Sequence, residues 1–167
     1  MADRYDALTP TNLIATLRSF ERRYGAVTGP MRSDPELLAR ADAPGPDGDS
    51  MVDLCNRALR AVSMLGAEAE RIATHVDPVS PAAAFDPETW ADGSAPVATM
   101  AEATDVIAST ANQLADRLDG LQSDEWNRTT TITGGGSMSL IDVVRAIARE
   151  GVETLRRAER QLEWLQS

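Results

Sequence analysis

The chain has 167 residues, with 26 acidic side chains against 16 basic ones and a formal net charge of -10. That length suits a single domain over residues 1–167 with a substantial core. The acidic excess argues against nucleic acid and anionic membrane surfaces as partners, because phosphate groups attract a cationic face. All 16 basic residues are Arg. Cys55 is the only cysteine, so no internal disulfide is expected and a reducing, cytoplasmic setting is the simpler reading. No stretch approaches the ~20 apolar residues that span a bilayer.

In chain order, Thr9 or Thr11 can cap a first helix whose apolar residues Leu13, Ile14, Leu17, Phe20 and Tyr24 share a face, with Gly29-Pro30 as its expected stop. A short helix near Pro35 to Arg40 follows. The run ADAPGPDGDS then reads as a solvated, mobile loop. Asp49 or Ser50, with Asp53 behind it, opens a second helix whose buried stripe runs from Met51 through Leu54, Cys55, Ala58, Val62, Leu65, Ala69 and Ile72 to Val76. Asp77-Pro78 ends it. A long connection, SPAAAFDPETWADGSAP, crosses the molecule, with Phe85 and Trp90 expected to pin it to the helices.

The third helix shows the cleanest periodicity. Val97, Met100, Thr104, Ile107, Ala111, Leu114, Leu118 and Leu121 alternate steps of three and four, the pattern of bundle packing. After a turn at SDEW, RTTTITGGG reads as extended chain followed by a glycine hinge at Gly134 to Gly136. A closing helix begins after Ser137 or Ser139. No continuous sheet is expected. On the closing helix Val143, Ile147, Glu150, Thr154, Ala158 and Gln161 fall on one face, so the polar Glu150 and Thr154 interrupt an apolar surface. A carboxylate there needs a partner or a cavity, since an unpaired buried charge costs several kcal/mol, roughly.

Other chemistry-bearing residues have plain readings. His75, the only histidine, rules out a multi-histidine metal site and suits the last carbonyls of the second helix. Cys55 lies on an apolar stripe as a small hydrophobe, with a reactive thiol as the alternative. The three glycines lack the Lys-Ser or Lys-Thr of a phosphate loop, although the helix start after them could bind an anion. Trp126 and Trp164 suit core or interface positions better than nucleotide stacking.

Four pieces of the chain, SMVDLC at 50–55, FDPETWA at 85–91, LQSDEWNRT at 121–129 and SMSLIDVV at 137–144, resemble in order the DinB/YfiT superfamily of four-helix bundles. The resemblance implies an all-α four-helix bundle of up-down type with a long connection between the second and third helices. Members usually hold a divalent metal with one histidine of the second helix and a pair four residues apart on the last. Those positions match Arg57, Glu150 and Thr154 here, and none is histidine. Guanidinium has no lone pair to give, and threonine is a poor ligand for zinc or nickel.

The expectation is therefore a metal-free, cofactor-free site in which Arg57 and Glu150 exchange two hydrogen bonds, with Thr154 satisfying a remaining group. Function then reads as non-catalytic binding of a small molecule or partner chain. The resemblance also implies two enzymatic alternatives, a low-molecular-weight-thiol S-transferase or isomerase and a metal-dependent hydrolase. A homodimer through helix faces, with Trp164 and Leu165 as contacts, is compatible with each.

Overall fold

Capping residues decide where each long helix starts. In the computed structural model, which describes residues 3–90 and 97–167, four of them run over Pro10–Ser33 (α1), Met51–Thr74 (α3), Met100–Asp119 (α5) and Leu140–Gln166 (α6). Thr9, Ser50, Thr99 and Ser139 are their N-caps, each accepting from the backbone N–H three residues on. At Thr9, Ser50 and Thr99 the side chain of that third residue reaches back to the cap, closing a capping box. Two short helices, Pro35–Ala39 (α2) and Pro87–Trp90 (α4), lie in the connections. Part of the long crossing connection, residues 91–96, lies outside the described residues.

Pro30 does not stop α1. The helix continues to Ser33 because Val27, Thr28 and Met31 are buried, and packing of that last turn outweighs the hydrogen bond that proline cannot donate. The start of α5 is Met100, so Val97, exposed and outside the helix, leaves the predicted stripe. Leu121 likewise follows the helix rather than ending it.

Each long helix packs on two others: α3 on α6 and α5, and α1 on α5 and α6. The successive pairs α1/α3 and α5/α6 are thus diagonal across the bundle. A simple up-and-down bundle would set successive helices side by side. The diagonal steps need connections long enough to cross an end, which residues 34–50 and 120–139 supply.

A three-stranded sheet, absent from the sequence reading, forms within these connections. Val79–Ser80 (β1) runs parallel to Thr129–Ile132 (β2), which pairs antiparallel with Ser137–Ser139 (β3), Thr130 lying opposite Met138. The glycines are the β2–β3 turn rather than a hinge: Gly134, Gly135 and Gly136 all have positive φ, and Ile132 N–H donates to Gly136 O at 3.0 Å. β1 was hidden because two residues carry no periodicity.

Phe85 and Trp90 pack against the core as expected, and Trp126 is buried in it. The acidic loop is tied down where mobility was expected. Asp47 meets Arg160 at 2.7 Å, Asp49 pairs with Arg157, and Gln161 donates to Ala43 O at 3.0 Å, all from α6. Two loop acids that read as solvated, Asp47 and Asp49, are ion partners of helix arginines. Among the described residues no helix is long and apolar enough to cross a membrane.

Candidate functional site

The apolar stripes of α3 and α6 pack these two helices together and bring Arg57 opposite Glu150. Arg57 Nη2 lies 3.6 Å from Glu150 Oε2, with the two side chains 50% and 23% exposed. This is an ion pair at the bundle rim, longer than a hydrogen bond, in place of the two hydrogen bonds expected. Pairs this exposed are screened by water and contribute about 0–1 kcal/mol. Glu150 therefore sits at the edge of the apolar face instead of breaking its centre. Thr154, one turn on, is buried, and among the described residues no hydrogen bond joins it to either partner.

Arg57 also faces outward, into a groove of about 430 Å³ between the first half of α3 and the crossing segment. Asp49, Asp53, Asn56, Arg57 and Arg60 form one wall, and Pro87, Glu88, Trp90 and Val97 the other. Asn56 at its base is buried, and it clamps the chain just before α5 by donating to Ala98 O at 2.8 Å and accepting from Ala98 N–H at 2.9 Å. The sequence reading missed Arg60 and Asn56. Arg60 follows Arg57 by three residues and so shares its side of α3, a spacing that could have drawn attention to it.

The other candidates fall elsewhere. His75 caps the C-terminal end of α3, its Nδ1 3.2 Å from Arg71 O. It is 18 residues from Arg57 along one helix, roughly 27 Å at 1.5 Å per residue, so it cannot join Glu150. Cys55 is buried, and burial pushes its thiol up to about 12, against the reactive alternative. A buried cluster near the sheet went unseen: Ser80 Oγ donates to the carboxylate of Glu68 and lies 2.7 Å from Thr130 Oγ1, fastening β1 and β2 to α3. Leu165 is buried within the chain and so offers no surface to a second copy, while Trp164 is partly exposed beneath the Arg40 guanidinium.

Among solved structures, YfiT from Bacillus subtilis, described as a probable metal-dependent hydrolase with an unusual four-helix bundle topology, superposes with a TM-score of 0.71. The match covers 98% of this chain and 94% of that one at 11% identity. The chain has the YfiT fold. In sequence, no family model and no curated protein matches it. The two chains thus share a backbone fold while most of their residues differ. Among its described residues no three His, Cys, Asp or Glu side chains group as metal ligands. At the three positions singled out, one carboxylate stands beside a guanidinium, a donor set that does not fit a divalent cation.

Proposed function

We propose that the chain is a metal-free, non-catalytic binding protein built on the YfiT-like bundle, with a small molecule held in the groove beside Arg57. The observation that carries this reading is the Arg57–Glu150 approach of 3.6 Å. A fixed positive charge occupies the space beside the one carboxylate that could serve as a ligand, and cation repulsion there disfavours a second positive charge. Arg57 joins the two features, touching Glu150 on one side and the groove on the other. A groove of this volume, with polar and charged side chains on its α3 wall and Trp90 and Val97 on the other, has the size of a small-molecule site. The hydrolase activity attributed to YfiT depends on a metal, and the residues here give that metal no adequate ligand set.

The test is elemental analysis of untagged protein combined with thermal melts in zinc, nickel and manganese. A cation that binds the native state at 100 times its Kd stabilises it by about 2.7 kcal/mol. The expected result is substoichiometric metal and no saturable rise in Tm. Stoichiometric metal, or a Tm rise that Glu150→Ala abolishes, would restore the metal-dependent reading.

A further inference from the structure

The groove carries acids and bases on its walls, but they differ in how far they are already engaged. Asp53 closes the α3 capping box, accepting from Ser50 N–H at 2.9 Å and Ser50 Oγ at 2.7 Å. Asp49 is paired with Arg157. Glu88 is exposed at the rim on α4. By contrast, Arg60 is half-buried and forms no ion pair among the described residues, and Arg57 has only the long contact to Glu150. Among the described residues, and apart from the exposed and likewise unpaired Glu88 at the rim, the hydrogen-bonding capacity left for a ligand inside the groove is therefore mainly the two guanidinium groups.

Two guanidinium groups three residues apart on one helix repel each other until an anion lies between them. A carboxylate relieves that repulsion and accepts planar pairs of N–H bonds that an ammonium could not offer. Opposite them, the Trp90 ring and Val97 supply an apolar wall, and Trp90 is held by its Nε1–H donating to Ala84 O at 3.0 Å. We propose that the groove binds a small monocarboxylate with an aromatic or aliphatic body, its carboxylate taken by Arg57 and Arg60 and its body laid on Trp90 and Val97. On binding, Arg57 exchanges its long contact with Glu150 for the ligand. The proposal rests on the metal-free reading above, because it keeps the Arg57 guanidinium in place.

Isothermal titration of the full chain with 4-phenylbutyrate, indole-3-acetate and octanoate, each beside its neutral amide, tests this. At least one carboxylate is expected to bind saturably with a Kd below about 1 mM, and its amide at least ~10-fold more weakly, because only the acid makes charge-assisted bonds. Arg60→Gln, a substitution outside the core whose folding is checked by circular dichroism and melting, is expected to weaken the acid ~10-fold and leave the amide unchanged. Arg117→Gln, on α5 and paired to Glu70, serves as the control and should change neither. Failure of all three acids to bind overturns the proposal. So does equal binding of acid and amide, or an Arg60→Gln variant with undiminished affinity. Amides that bind as well as acids and are lost in Trp90→Ala would overturn the anion class while leaving the small-molecule reading intact. Stoichiometric metal would overturn that reading whatever the acids do.

Discussion

Gly151 lies in the middle of α6, where a glycine ordinarily weakens a helix by about 1 kcal/mol relative to alanine. The Phe20 ring fills the space its side chain would take, and a Cβ at Gly151 would stand 2.3 Å from Phe20 Cζ. The same close approach lets the Tyr24 hydroxyl donate to Gly151 O at 2.6 Å. Gly151→Ala is thus expected to destabilise the protein by about 1–3 kcal/mol despite alanine's better propensity, through overpacking against a ring that is itself fully buried. Urea unfolding checks this, and an unchanged or raised stability would show that the ring can move aside. Cys55 makes a second prediction at this scale. Its thiol is raised from 9.0 to about 12 by burial, with the Thr104 side chain opposing the shift. A folded-state value above the unfolded one gives stability that is complete below pH 9 and lost as pH rises toward 12. Ellman's reagent should therefore leave the native thiol unmodified at pH 8 and label it rapidly in denaturant, whereas fast native labelling would contradict the buried placement.

The long helices were legible because apolar spacing and caps agree: the third-helix stripe stands from Met100 to Leu118, without its two ends, and Ser50, one of the two starts offered before Asp53, is the cap of α3. Arg57 and Glu150 could be paired on paper only through the resemblance, since helical spacing says which face a residue takes and not which neighbour it meets. The sheet was illegible for a physical reason. β1 is two residues long and is held to α3 by Ser80 and Glu68, partners 12 residues apart that no local pattern connects. The clasps on α6 were equally hidden, since acids scattered through the N-terminal segment and the loop look solvated until their arginines are known. Asp3 is held below the usual carboxylate range by the backbone N–H of Tyr5 and then Arg149, Glu153 by the Tyr5 hydroxyl and then Arg4, and Asp47 by Arg160. Depressed folded-state values mean that these clasps contribute above the ordinary carboxylate values and are lost as pH falls through the folded ones. Stability is expected to be level above about pH 5 and to fall below about pH 4, with a shallower fall in the Arg149→Gln/Arg160→Gln double variant. Urea titrations across that range decide it, and identical acid slopes in the two proteins would show that the clasps do not carry the dependence.

At the scale of the molecule, α6 is the member on which the rest converges. It packs against α3 and α1, its N-cap ends the sheet, its arginines hold the N-terminal segment through Asp3, Asp6 and Leu8 O, and its last third holds the loop. These attachments differ in kind. The α3–α6 packing removes apolar surface from water, at about 25 cal/mol per Å². Apart from the buried Tyr5 and Ala41 side chains, the two clasps are surface ion pairs and a few hydrogen bonds, which water and salt screen. Opening a clasp therefore costs much less than separating the helices, and the two events should appear as distinct levels of local stability. Native-state hydrogen exchange is expected to show amides of Val144 to Leu155 and of the facing turns of α3 exchanging only through global unfolding, with the free energy measured by denaturant. Amides of residues 4–8 and 42–48 should exchange through smaller openings, and faster in high salt, because screening weakens the ion pairs and leaves the buried packing untouched. Equal protection across all these segments would mean that the clasps and the core open as one unit, making the N-terminal segment and the loop part of the cooperative fold.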